Sequence, residues 1–240
     1  MPERVRRGYV PSDAREFGEK ELPRLREAQR DVVYLLNRDY GAQRSVTFVG
    51  DRFQLSSRQR MALTRASCRD ADARGRRERE TKGSLAGKTL FVDGFNVIIP
   101  LEIALSGSTL LLCMDGAVRD LAGLRGTYRL IDRTDEAVRL IGGYLEAQGA
   151  AGAEFYLDSP VSNAGRLKTR ILELLGGRGF GLSVSIVKNA DFCLWGKENA
   201  ATGDGVILDH CKSWVNLVPR ILRESLPDFG LVDLSDPGRK

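Results

Sequence analysis

The chain has 240 residues, 42% of them hydrophobic and 29% charged, with a net charge of +5 at neutral pH. That is enough apolar material for one large domain or two modest ones without covalent staples. Its four cysteines, Cys68, Cys113, Cys193 and Cys211, are far apart in sequence, which excludes Cys-x-x-Cys zinc spacing and a dense disulfide framework. No stretch reaches the roughly 18 apolar residues of a membrane span, and MPERVRRGYVPSDAREF lacks an apolar signal core, so a soluble, cytoplasmic protein is expected.

Charge is distributed unevenly. Residues 1–88 hold 21 Lys and Arg against 13 Asp and Glu, a net +8, whereas residues 89–240 hold 16 against 19, a net −3. The first part is suited to a polyanion, and the second gathers carboxylates; a solvated basic surface has the same composition as the first.

In chain order, LPRLREAQRDVVYLLNRDY (22–40) spaces Leu25, Ala28, Val32, Leu35 and Leu36 as one face of an amphipathic helix. LSSRQRMALTRASC (55–68) predicts a second helix, capped by Ser56 or Ser57, with Arg58, Arg60 and Arg65 on its outer face. With VTFVGDRF as a short connection, the pair has the outline of a helix-turn-helix-like nucleic-acid module, although any helical hairpin with exposed arginines shares it. Residues 69–88 have almost no large apolar side chain and read as a charged linker or exposed helix end. The expected division is a basic helical region over 1–80, a linker at 81–88 and an α/β domain over 89–240.

Beyond that point short apolar runs alternate with helical stretches. TLFVD (89–93), AEFYLD (153–158), LSVSIV (182–187) and WVNLV (214–218) predict buried strands; 134–148, 163–177 and 219–225 predict helices. Such alternation implies α/β architecture, a mostly parallel sheet with helices on both faces. STLLLCMDGAVRDLAG (108–123) has Asp-Gly between two apolar arms and predicts a β-hairpin inserted at the sheet edge.

Three acids fall at or just beyond predicted strand ends, Asp93 in TLFVDGFNVII, Asp158 in FYLD and Asp191 in KNAD, and a fourth, Asp204, lies in ATGDG ahead of VILD. In an open parallel sheet those ends share one edge, so the carboxylates converge, and hard oxygen ligands favour Mg²⁺ or Mn²⁺. Singly, Asp158 reads equally as a turn residue, and Asp204 as a helix cap. Asn96, three positions after Asp93, is placed to bond a water or phosphate. Asp115 and Asp120 belong to the hairpin turn, and Asp209 follows on a helix. His210 is the only histidine, which argues against zinc and against a Ser-His-Asp hydrolase. In YLDSPVSNAGRLK, the residues Ser159, Ser162, Asn163 and Gly165 lead into a helix start followed by Arg166 and Lys168; this is either a phosphate-binding turn or a capped loop.

The order VDGFN, a strand ending in Asp, Ala-Asp after a strand, then Thr-x-Asp resembles the NYN branch of the PIN-like nucleases over roughly residues 88–225. The resemblance implies a Rossmann-like sheet and an aspartate cluster that binds Mg²⁺ or Mn²⁺ and cuts RNA. It would place Asp93 and Asn96 in the first motif, Asp158 in the second, Asp191 in the third, and Thr202 with Asp204 in the fourth. The whole chain also resembles an uncharacterised prokaryotic family pairing a helical N-terminal region with such a domain. Two departures stand out: the 108–123 hairpin occupies the place of an expected helix after the first strand, and the Ser-Pro-x-Ser-Asn-x-Gly turn is not general to those nucleases. No Gly-x-x-x-x-Gly-Lys-Ser/Thr loop or dinucleotide fingerprint is present, and FVDGFN has Phe95 where an Asp-x-Asp phosphatase pair would need its second acid. The expectation is thus an endoribonuclease with Mg²⁺ or Mn²⁺ at Asp93, Asp158, Asp191 and Asp204. Its substrate contacts would come from Asn96, Ser162, Asn163, Arg166, Lys168 and Thr202, with RNA, or DNA, as partner. The alternative is a non-catalytic module binding RNA or a nucleotide on the same crevice.

Overall fold

The computed structural model describes residues 5–123 and 126–238. The N-terminal part is helical: α1 (Asp13–Glu16), α2 (Leu22–Leu36), α3 (Ala42–Arg52), α4 (Ser57–Ala66) and α5 (Asp70–Glu78). Helix α2 buries Leu25, Ala28, Val32 and Leu36 as its spacing predicts, with Leu35 half-buried. Ser56 caps α4 in a reciprocal capping box with Gln59. The segment expected to be a short connection is itself most of α3, because Val46 and Val49 sit three positions apart and bury one face. Three helices therefore pack together where two around a turn were expected. The three arginines expected outside are part-buried and paired: Arg58 with Asp13 at 2.6 Å, Arg60 with Asp51 at 2.7 Å and Arg65 with Asp120 at 3.4 Å. Nor is 69–88 a bare linker, since α5 buries Ala73 and Arg76 and Leu85 is fully enclosed.

The rest is α/β. Strands β1 (Thr89–Asp93), β4 (Gly152–Asp158), β5 (Gly181–Val187), β6 (Ala200–Ala201) and β7 (Trp214–Val215) form one sheet in the order β5-β4-β1-β6-β7. Each pairing is parallel. Between them run α6 (Gly94–Leu105), α7 (Thr134–Ala147), α8 (Ala164–Leu175), α9 (Ala190–Leu194) and α10 (Gly205–His210), with α11 (Leu217–Ser225) following β7. WVNLV is thus strand only at its first two residues. Helix α6 follows β1 directly, where a helix seemed missing; its β-branched run Val97-Ile98-Ile99 and internal Pro100 disguise it as an apolar strand-like stretch.

The hairpin forms, as β2 (Leu110–Leu112) and β3 (Val118–Asp120), but not at the edge of the main sheet. It joins β8 (Leu231–Asp233) in a separate three-stranded sheet, β2 being antiparallel to β3 and parallel to β8. Leu111, Cys113 and Leu121 pack with Leu25, Val32 and Leu63, so the helical region and this small sheet share a core. A second, larger core lies between the five-stranded sheet and α6, α7, α8 and α11.

Candidate functional site

Strand order reverses at β1, whose neighbours are β4 on one side and β6 on the other. That is the position at which open α/β sheets leave a crevice beyond the carboxyl ends of their strands. Asp93 ends β1 there, almost fully buried. Gly94 lets it be there: a Cβ at this position would lie 2.4 Å from Leu157 Cδ2 and 3.1 Å from the Tyr156 carbonyl oxygen, so only glycine lets α6 start against β4.

Two donors hold the Asp93 carboxylate through the same oxygen, Oδ2: Asn96 Nδ2 at 2.8 Å and Thr202 Oγ1 at 2.7 Å. Thr202 follows β6, and its hydroxyl oxygen also accepts the Asp204 backbone N–H at 3.0 Å. Asp204 caps α10, its Oδ1 accepting the N–H groups of Val206 at 2.7 Å and Ile207 at 3.4 Å. Asp158 ends β4, and its Oδ1 accepts the Ala190 N–H at 2.8 Å, which ties β4 to the start of α9 and so sets the place of Asp191. Cap and ligand readings of Asp204 are therefore compatible, because one carboxylate oxygen serves the helix and the other does not.

Burial pushes the Asp93 carboxyl up to about 7; the bonds from Thr202 and Asn96 pull against this, and the charges of Asp204 and Asp158 add to it. Asp191 is raised as well, by burial first and then by Asp204 and Asp158. Asp93 and Asp191 thus each feel the charges of Asp204 and Asp158. Their donor set is oxygen alone, which suits a hard cation. Among the described residues, however, no group of three or more acidic, histidine or cysteine side chains is arranged to enclose an ion. An ion of the Mg²⁺ kind keeps several waters and needs only one or two carboxylates, so the residues fit a hydrated cation rather than an all-protein cage.

Beside the crevice lies a cavity of about 560 Å³, lined by Asn96 and Asp204 on one side and by Arg65, Cys68 and Arg76 from α4, α5 and the stretch between them on another. Its cations are compensated. Arg76 grips Asp209 with two nitrogens at 2.7 and 2.6 Å and reaches fully buried Asp115 at 2.8 Å, which Arg119 also holds at 2.5 Å. Burial alone would raise the Asp115 carboxyl, but Arg119 and Arg76 outweigh it and hold it below the usual range. The Cys68 thiol is pushed up to about 12, mainly by burial, and stays protonated. Asp115, expected as a turn residue, does accept the Ala117 N–H at 3.1 Å, yet it is also the hub of this network. Its partner Arg119, four positions on in the hairpin, was the one local signal; Arg76 is 39 positions away.

Among the described residues no side chain of the 159–168 turn bonds to the four carboxylates; the turn is tied to Asp158 only by the Val161 N–H, which donates to the Asp158 carbonyl at 3.1 Å. Ser162 Oγ accepts the Tyr128 N–H at 2.8 Å and donates to its carbonyl at 3.0 Å, and Asn163 Nδ2 donates to that carbonyl at 2.6 Å. Asn163 stands in the left-handed region at φ 62°. These side chains clamp the preceding loop, while Arg166 is exposed and Lys168 half-buried on α8.

The model for a domain of unknown function, DUF5616, matches residues 82–220, and that for a protein of unknown function, DUF434, matches residues 24–79. The chain is 32% identical over 197 residues to an uncharacterized protein of Methanocaldococcus jannaschii, a match spanning 81% of this chain and 94% of that protein. No solved structure matches.

Proposed function

The chain belongs to the DUF5616 family, and from that footing we propose that it is a metal-dependent endoribonuclease that hydrolyses phosphodiester bonds at Asp93, Asp158, Asp191 and Asp204. The single observation that carries this reading is the gathering of acids at the point of strand-order reversal, with Asp93 and Asp158 ending adjacent strands, Asp191 in the first turn of α9 and Asp204 capping α10. A protein with no use for a cation would have little reason to gather these charges there. The order of motifs resembles that of NYN-type PIN-like nucleases, and the sheet order, 3-2-1-4-5 when its strands are numbered along the chain, is that of doubly wound nucleotide-binding sheets.

In this reading Asp93, Asp158, Asp191 and Asp204 would hold a hydrated Mg²⁺ or Mn²⁺, one or two of them directly and the others through its waters. Such an ion, when bound, would supply a water of lowered pKa and neutralise charge on the scissile phosphate. Asn96 and Thr202 fix Asp93 through Oδ2, and neither engages Oδ1. Asp204 is oriented by α10, and Asp158 by the start of α9. RNA is favoured over DNA by the resemblance alone.

A second reading, a non-catalytic module that binds RNA or a nucleotide, is favoured by the lack of an enclosing set of three ligands among the described residues. Incubation of a mixed RNA and DNA panel with Mg²⁺ or Mn²⁺, comparing wild type with Asp93→Asn, separates the two. Cleavage by wild type that Asp93→Asn abolishes supports the nuclease. Binding without cleavage by either protein supports the module.

A further inference from the structure

Next to the acid crevice, α9 with its C-cap residue and α10 carry three exposed rings. Phe192 is 63% exposed and Trp195 38%, and His210 is exposed as well. Trp195 meets Phe192 edge-on, with ring centroids 4.6 Å apart, and stacks within 17° of parallel on His210 at 4.4 Å. The arrangement is held from the backbone. Gly196 N–H donates to the His210 carbonyl at 3.0 Å, and Lys212 N–H to the Lys197 carbonyl at 2.9 Å. His210 Nδ1 lies 2.8 Å from the Val206 carbonyl oxygen, which fixes the ring.

Charge around the rings is of the opposite kind to that in the crevice. Lys197 places its ammonium 4.3 Å from the centre of the Phe91 ring. Neither Lys197 nor Lys212 has a carboxylate partner among the described residues, although Glu198 is exposed nearby in sequence. This contrasts with Arg58, Arg60 and Arg65, each already paired. Continuity with the acids is covalent: Asp191 directly precedes Phe192 on α9, and Asp204 caps the helix that ends in His210.

We propose that Phe192, Trp195 and His210 form a stacking platform for an unpaired base of single-stranded RNA, with Lys197 and Lys212 facing its phosphates, so that the strand is led past the acid cluster. Exposed rings grouped in this way are unusual on a soluble surface. Every base offers a π-face to them, and ammonium groups without a carboxylate partner nearby complement the backbone. A duplex hides its base faces, so the platform selects single strands. The inference rests on the reading of the crevice as a nucleic-acid site and adds the form of substrate it takes.

The test uses the full chain, wild type beside Phe192→Leu and Phe192→Tyr, with an adenylate RNA of about 12 nucleotides, within the footprint of known single-strand binders, and a duplex of equal length. Affinity and tryptophan emission are read together. Trp214 is fully buried, so quenching by a bound base reports Trp195. Expected are quenching by the single strand only, a Kd about 10- to 100-fold weaker for Phe192→Leu, recovery in Phe192→Tyr, and unchanged melting temperatures. If wild type binds or cleaves RNA and Phe192→Leu does so equally well, the platform is overturned while the crevice reading stands. If wild type binds neither probe and cleaves nothing, both fall.

Discussion

The Thr202 hydroxyl donates a 2.7 Å hydrogen bond to Oδ2 of Asp93 across 109 positions of chain. It joins the ends of β1 and β6 and links Asp93 to the cap of α10, because the same hydroxyl oxygen accepts the Asp204 N–H. Thr202→Val keeps the shape and removes that link. The loss is expected to cost about 1–3 kcal/mol and, since the bond favours the charged form, to move the Asp93 titration above its value of about 7. Carboxyl NMR of the two proteins checks both the direction and the site.

Asp93 itself should oppose stability in metal-free buffer. Its native value is raised from 3.8 to about 7, so the unfolded chain gives up the proton first and stability falls as pH rises through that window, staying low above it. Asp93→Asn is expected to melt higher than wild type at pH 8 by up to about 4 kcal/mol, with the gap closing toward pH 4. Thermal melts in chelator across this range decide it; equal melts at pH 8 would contradict the burial argument.

Millimolar Mg²⁺ or Mn²⁺ should reverse that cost in wild type. An ion that binds only the native state adds about 2.7 kcal/mol at 100 times its Kd, whereas Asp93→Asn should gain little. A thermal shift seen in wild type and lost in the variant is the expected pattern.

Arg76→Ala removes one of the two cations over fully buried Asp115. Arg119 remains, so the expected cost is near the lower end of the roughly 3–5 kcal/mol for breaking a buried pair. Asp209→Asn, on the more exposed arm of the network, should cost under about 1 kcal/mol. Because Asp115 is held below the usual carboxylate range, its stabilisation is complete above that range and lost as pH falls through its native value. Urea unfolding of the two variants at neutral and acid pH measures this.

Gly94→Ala inverts a familiar sign. Alanine in a helix is ordinarily worth up to about 1 kcal/mol over glycine, but here its Cβ would press on Leu157 at 2.4 Å. A loss of about 1–3 kcal/mol is expected, together with weaker metal-induced stabilisation, since β1 and α6 carry Asp93 and Asn96. Denaturant titration with and without Mg²⁺ reads both effects.

Several elements were legible from the amino-acid order alone because their causes are local. β1, β4 and β5, the amphipathic helices α2, α7 and α8, the Ser56 cap and the Asp-Gly hairpin follow from periodicity and turn chemistry within a few residues. The placing of Asp93, Asp158 and Asp191 at or beyond strand ends followed too, since side chains at those ends share an edge once the strands are parallel, whereas the strand before Asp204 has no such local signal. Other features depend on partners distant in sequence. β6 is two residues long and exists as a strand only through pairing with β1 and β7. α6 forms despite Pro100 because α7, α11 and β4 pack against it and bury it. Whether an arginine is free or neutralised, as Arg58 and Arg76 are, and whether Ser162 meets a phosphate or the Tyr128 backbone, are set by groups tens of positions away. Composition carries the number of charges and polar atoms; tertiary packing alone decides which of them are already satisfied when a ligand arrives.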